Sequence, residues 1–446
     1  MRIYLESLGC ARNQVDSETM LTLLRGTGAR VTDDPAAAEV IVVNTCSFIE
    51  AAADESIEAI LSLARLKQEG RCRRLIVTGC LPERYREQLV AELPEVDLFL
   101  GTGAYDRIVA AVRGELPPGA CLLPDPDAID SHTPVARQAM APHAAYLKIA
   151  EGCSRHCTYC IIPRLRGRLK SRPRATLLTE ARTLIAAGAR ELTLVAQDTT
   201  AYGTDQAPPD DLAHLLEALA GVDPTVWIRF MYGHPESLAP AVLHTLAAHP
   251  NLCPYLDLPI QHASTRILRR MGRRYTDSDL LRLLESIRAT VPDVALRTTV
   301  LVGFPGETDD DFDRLTGFIQ KAGFDHLGVF AYSDADDLPS HHLDGHVEPA
   351  VAQERLDEVM ALQQHISAQR LMRHSGRQTQ VLLEEPPGED GLWIGRTQHQ
   401  APEVDGVTFV RPPATPVPGH RPFVCGAIVP VRIVETLDYD LIAEAL

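Results

Sequence analysis

Short apolar runs alternate with stretches of helical periodicity through most of this 446-residue chain, and that alternation restricts the fold more than any other feature. In a first series, residues 2–8, 40–43, 75–77 and 96–100 read as strands, with helical patterns at 14–24, across Ile49, Ile57, Ile60, Leu61 and Ala64, and from near Pro82. A second series places strands at 146–150, 192–196, 226–231, 255–258, 296–302 and 326–332, with helices at 177–187, 212–220, 238–247, 277–290 and 309–322. The expected fold is α/β: a doubly wound parallel sheet in residues 1–114 and a partial (β/α)6 barrel in residues 143–374. Between them, residues 115–142 carry Pro117, Pro118, Pro124, Pro126, Pro134 and Pro142 and read as a stiffened interdomain linker. A long helix follows from 350 to about 374, and then the period changes. Short strands at 378–384, 392–396, 407–410 and 423–434, split by Pro and Gly, predict a small all-β barrel in residues 375–446.

Cysteines fall at telling places in this frame. In open parallel sheets the C-terminal ends of the strands line one edge, where ligands bind. Cys10, Cys46 and Cys80 each stand just past such an end, 36 and 34 residues apart. One cysteine there is usually a small buried hydrophobe. Three at equivalent places point instead to a shared three-thiolate iron-sulfur site. Cys72, inside a helix-to-strand loop, and Cys121, in the proline-rich segment, break the pattern and take no role.

The denser set is Cys153-Ser154-Arg155-His156-Cys157-Thr158-Tyr159-Cys160. Three thiolates in one loop leave a coordination position open for an exogenous ligand. One reading is a zinc knuckle with His156 as fourth ligand, which requires adjacent His156 and Cys157 to reach one ion from a tight turn. The other is a 4Fe-4S cluster held by Cys153, Cys157 and Cys160 with one iron free. Polar residues gather at the ends of the second-series strands: Gln197-Asp198, Gln261-His262 and Gly303 through Thr308. Asp and Gln side chains there can bind a ribose or an amino-acid moiety, and glycine lets a ligand approach the backbone. Turn chemistry and helix capping account equally for Gly306 and Thr308.

A formal charge of −17 argues against a broad nucleic-acid footprint and suits a basic partner. The terminal barrel alone has five arginines, no lysine and ten acidic residues, so it is expected to recruit a basic protein rather than RNA. Basic residues cluster elsewhere, from Arg164 to Arg174 and from Arg266 to Arg274, where they could hold a carboxylate or ribosomal RNA. Cysteine usage does not suit a secreted disulfide framework. No apolar run of membrane-spanning length and no secretory leader is read, so a cytoplasmic protein is expected.

The cysteine loop resembles that of the radical S-adenosylmethionine (SAM) superfamily. That resemblance implies that SAM chelates the open iron, that Tyr159 lies beside its adenine, and that the reduced cluster cleaves SAM to a 5′-deoxyadenosyl radical. Gln197, Asp198, Gln261 and Gly303 are the expected further SAM contacts. Over nearly its whole length the chain resembles the methylthiotransferases, through Ser7-Leu8-Gly9-Cys10 with Asn13, Asn44-Thr45-Cys46-Ser47-Phe48-Ile49, Thr78-Gly79-Cys80, Lys148-Ile149-Ala150-Glu151-Gly152-Cys153 and Val302-Gly303-Phe304-Pro305-Gly306-Glu307-Thr308. The resemblance implies two 4Fe-4S clusters, SAM as methyl donor and radical source, a reducing electron donor, and a terminal barrel of the TRAM type.

Segments 196–203, 257–262 and 297–299 are similar to the branch that adds a methylthio group to the β-carbon of an aspartate in the twelfth small-subunit ribosomal protein. The other readings are a tRNA adenosine methylthiotransferase and a non-catalytic iron-sulfur scaffold or electron carrier. One segment departs from the family pattern: Tyr332-Ser333-Asp334-Ala335-Asp336-Asp337-Leu338 lacks the usual Glu and Gly-Thr.

Overall fold

The computed structural model describes residues 1–128, 137–413 and 423–446. Six parallel strands form the first sheet: β1 (Arg2–Ser7), β2 (Arg30–Val31), β3 (Val40–Thr45), β4 (Arg74–Gly79), β5 (Leu98–Leu100) and β6 (Cys121–Leu122), in the order β2-β1-β3-β4-β5-β6. Every residue of β3 is buried, as a central strand covered on both faces must be. Its alternate side chains feed two cores, Ile41 and Val43 with Leu75 and Phe99 on one face, Val40 and Val42 with Ile76 and Leu100 on the other.

The proline-rich segment is more than a linker. Cys121 and Leu122 pair with Phe99 and Leu100 and complete the sheet edge. Further on, Arg137 is buried between Glu18 and Glu180, and the Met140 amide donates to Glu18 Oε1 at 2.8 Å. Proline does not prevent this, because an edge strand needs donors on one side only. Residues 129–136, with Pro134, lie outside the described residues.

The second unit carries β7 (Ala144–Lys148), β8 (Ala150–Glu151), β9 (Lys170–Ser171), β10 (Glu191–Val195), β11 (Trp227–Phe230), β12 (Tyr255–Asp257), β13 (Ala295–Val302) and β14 (His326–Ala331). Two parallel three-stranded sheets, β11-β10-β7 and β12-β13-β14, are joined by a bridge between Ile228 and Leu252. This is the partial barrel, with all six expected strands. Helices Asp277–Thr290 and Asp309–Ala322 start at capping boxes, Thr276 with Asp279 and Thr308 with Asp311. The short antiparallel pair of β8 and β9 is additional, and it clamps the base of the cysteine loop. Helix Pro349–Leu371 lies along β14, with Gln363 Nε2 donating to the Phe324 carbonyl at 2.9 Å and Ser367 Oγ to the Asp325 carbonyl at 2.8 Å.

The last unit is a closed barrel, β15 (Gln378–Glu385), β16 (Trp393–Arg396), β17 (Thr408–Arg411), β18 (Ile428–Thr436) and β19 (Leu441–Ala445), in the order β15-β16-β17-β19-β18. It docks on the second unit through a buried ion cluster. Glu191 accepts from Arg229 Nε at 2.8 Å and from Arg396 Nη2 at 2.6 Å, and Arg396 also holds Glu384. Trp227, Tyr255, Cys253 and Leu382 seal the joint. No helix among the described residues is long and apolar enough to cross a membrane.

Candidate functional site

A strand that ends at a ligand must turn its chain sharply, and glycine sits before the cysteine at both sets. Gly9 has φ +90°, and a Cβ there would stand 2.7 Å from Cys46 Cβ, so the loops after β1 and β3 are in contact. Gly152 has φ +78°, and its Cβ would meet the Arg168 carbonyl at 2.1 Å. Only glycine fits at either place. Buried polar side chains fix the first set: Asn13 Nδ2 donates to the Leu8 and Thr45 carbonyls at 3.0 and 2.9 Å, and Ser56 Oγ bonds both the amide and the carbonyl of Cys46. Cys10, Cys46 and Cys80 thereby come within each other's electrostatic reach, as do Cys153, Cys157 and Cys160.

The donor sets suit a cluster. The Cys153 sulfur accepts from the Arg155 backbone N–H at 3.4 Å. Such bonds stabilise thiolate and tune iron-sulfur potentials. Burial pushes Cys80 up to about 11 against the opposing charge of Arg166, and pushes Cys160 up to about 12. Cys10 goes the other way, because the charges of Arg12 and Arg166 outweigh its burial. Thiols this well buried give up their protons to bound metal rather than to solvent. Among the described residues no three His, Cys, Asp or Glu side chains stand close enough to share a single ion.

The two sets face one another across the joint between the first and second units. Arg166, just past the second set, reaches back to Asn13 and lies 3.6 Å from Cys80 Sγ. Its other nitrogen bonds Asp16 at 2.8 Å and Glu151 at 3.2 Å, and Lys148 Nζ joins the same two carboxylates, 2.7 Å from Glu151. Two buried cations thus meet two buried carboxylates, so neither pair is left unneutralised. Cys80 also packs on Ile161, the residue after Cys160. Arg12 crosses the joint as well, donating to the Ala196 carbonyl at 2.9 Å and stacking 4.5 Å from the Tyr232 ring centre.

A cavity of about 580 Å³ opens at this joint, and of the five expected SAM contacts Tyr159 and Gln261 line it. Arg273 donates to the Tyr159 hydroxyl at 2.7 Å, and Phe304 packs edge-on between Tyr159 and Tyr332. Gln261 holds a left-handed backbone, φ +67°, a strain of the kind found at ligand clamps. Gln197 is outside the cavity lining, donating to Glu151 at 2.7 Å while its Oε1 is buried without a partner among the described residues.

Two of the expected SAM contacts are engaged with neighbouring residues. Asp198 is occupied: it accepts from Arg155 Nε at 3.0 Å and from Thr200 Oγ1 at 2.7 Å and caps a helical turn, so it fixes the cysteine loop rather than offering a free carboxylate. Gly303 packs closely on its neighbour. Its absent Cβ faces Ala352, which it would meet at 2.4 Å, and its amide and that of Phe304 turn to Glu307. Gly303→Ala should therefore cost about 2–4 kcal/mol from overpacking and positive φ, read as a lowered Tm, while SAM affinity of the folded variant stays unchanged.

Much of the two basic runs is paired. Arg166, Arg172 and Arg174 pair with Asp16, Glu180 and Asp210, and Arg266 and Arg270 with Asp311 and Asp344. Sequence reasoning missed Arg12, Lys148 and Glu151 as members of the joint. The signal was a lysine inside an apolar strand, since a buried charge demands a partner.

Three family models match the chain: the uncharacterized protein family UPF0004 over residues 2–101, the radical SAM superfamily over 147–319 and the TRAM domain over 376–446. Among curated proteins, the chain is 53% identical to the ribosomal protein uS12 methylthiotransferase RimO of Desulfosudis oleivorans, over 100% of both chains. It is 43% identical to that of Geobacter sulfurreducens, covering 100% of this chain and 98% of the other, and 42% identical to that of Clostridioides difficile, covering 100% and 99%. Solved structures share the fold at low identity. The radical SAM methyltransferase TsrM of Kitasatospora setae, with cobalamin and a [4Fe-4S] cluster bound, gives a TM-score of 0.58 at 16% identity over 76% of this chain and 77% of that one. The cobalamin-dependent enzyme OxsB gives 0.53 at 12% identity, over 81% and 56%. With relatives this close over the full length, the chain belongs to the RimO family of ribosomal protein uS12 methylthiotransferases, within the radical SAM superfamily.

Proposed function

We infer that this protein replaces one hydrogen on the β-carbon of an aspartate in ribosomal protein uS12 with a methylthio group, using SAM and two 4Fe-4S clusters. The observation that carries the reading is the facing of two three-cysteine sets across one joint, with a cavity beside them. The bound clusters and SAM supply one-electron chemistry at an unactivated carbon, where acid-base side chains have no purchase, together with the methyl group and sulfur.

The chain's own residues do the rest. Cys153, Cys157 and Cys160 hold the cluster that binds SAM, and Cys10, Cys46 and Cys80 hold the other. Tyr159, oriented by Arg273, forms the wall for the adenine. The unpartnered Gln197 carbonyl oxygen offers an acceptor, and Gln261 presents its strained backbone to the cavity. Arg12 and Arg166 offset the negative charge that thiolate-bound clusters bring to a buried site, and Phe304 and Tyr332 keep water from it. A reducing donor completes the turnover, and uS12 is met free or within the ribosome.

The test is mass spectrometry of uS12 from cells with and without this gene, and of uS12 incubated with the reduced, reconstituted enzyme and SAM. The expected result is one added methylthio group on an aspartate, only where the enzyme is present. Modification of tRNA with uS12 untouched would overturn the reading.

A further inference from the structure

The cavity's outer rim carries features that cofactor binding does not use. Four carboxylates, Glu50, Asp334, Asp336 and Asp337, line it against two guanidiniums, Arg84 and Arg164. Both guanidiniums are committed: Arg84 grips Asp337 with two bonds of 3.0 and 2.7 Å, and Arg164 lies 3.4 Å from the same carboxylate. Asp334 accepts from the Tyr332 hydroxyl at 3.0 Å and faces His341. Glu50 and Asp336 are exposed, and no side-chain or backbone donor among the described residues bonds either one. Beside them Phe48 and Phe330 are 44% and 51% exposed, an uncommon setting for large aromatic side chains. Asp336 sits in the segment of the sequence that departs from its family's pattern.

We propose that this rim is the docking surface for the protein substrate: Glu50 and Asp336 receive lysine or arginine side chains flanking the target residue, while Phe48 and Phe330 cover the apolar part of the same segment. The proposal rests on the functional reading above, and its occupant follows from charge. A ribosomal protein is basic, and two unpaired carboxylates at the mouth of the site attract a cationic loop and repel a phosphate backbone. It adds a recognition point at the mouth to the acidic terminal barrel expected from composition.

The test compares the wild type with the full-length double variant E50Q/D336N and with a barrel control, E389Q/D390N. Fluorescence anisotropy reads binding of labelled uS12 and of bulk tRNA at low and high salt, and steady-state assays read uS12 methylthiolation and substrate-free SAM cleavage. E50Q/D336N should bind uS12 about tenfold more weakly at low salt and raise KM to match, with kcat and SAM cleavage unchanged and the gap closing as salt rises. Unchanged uS12 affinity in E50Q/D336N, weakening in the barrel control alone, or tighter wild-type binding to tRNA than to uS12 would each overturn it. Wild type that binds uS12 through Glu50 and Asp336 yet leaves it unmodified would uphold the docking surface and overturn the functional reading alone.

Discussion

With Cys153, Cys157 and Cys160 replaced together by Ala, the protein will cleave no SAM, and after anaerobic reconstitution it will retain only the iron of the other cluster. Three thiolates leave one iron of a four-iron cluster open to an exogenous ligand, and the side chains of Arg155 and Tyr159 beside them are engaged elsewhere, with Asp198 and Arg273. The matching variant at Cys10, Cys46 and Cys80 should separate the two steps, keeping SAM cleavage while losing methylthiolation. Iron and sulfide analysis with chromatographic detection of 5′-deoxyadenosine checks both. SAM cleavage surviving the first triple variant would remove the assignment of that loop.

Glu191→Ala will undo the docking of the terminal barrel. Glu191, Arg229 and Arg396 are all fully buried, and removing the shared carboxylate strands the Arg229 guanidinium, which already has a nitrogen without a partner among the described residues, and leaves Arg396 with Glu384 as its one carboxylate. Breaking a buried pair in this way costs about 3–5 kcal/mol. Chemical denaturation should show the loss, and proteolysis should cut between helix Pro349–Leu371 and β15. Burial raises the Glu191 carboxyl, but Arg396 and Arg229 outweigh it and hold it down to about 2. Since the folded value lies below the unfolded one, this stabilisation is fully present above the ordinary carboxylate range and is lost as pH falls from there through about 2. The wild type should therefore lose more stability on acidification than Glu191→Gln, compared by Tm from pH 7 downward.

Strands whose neighbours cover both faces were legible because burial leaves only apolar residues to choose from, as in Val40 to Val43. The two-residue edge strands β2 and β6 carried no such signal, because a ladder that short needs only backbone. β19 was missed for another reason: Leu441-Ile442-Ala443-Glu444-Ala445 is rich in helix formers, and barrel closure against β17 and β18 overrides that local preference. At the site, cysteine spacing and strand ends together pointed to both thiol sets. A capping carboxylate such as Asp198 and a packing glycine such as Gly303 look, in one dimension, like ligand contacts. Nothing in the sequence near Arg166 showed that its partners, Asn13, Asp16 and Cys80, lie more than eighty residues away.

Either side of the Arg166 network, two further fastenings of the first unit to the second are unlike, which amounts to a pivot and a latch. On one side Arg137 is sealed between Glu18 and Glu180, with almost no solvent contact. On the other, Arg84 and Asp337 close the strap that borders the cavity, and the carboxylate is 19% exposed. Water and salt reach the second fastening before the first, so the cheapest local opening swings the mouth wide while the far side stays shut.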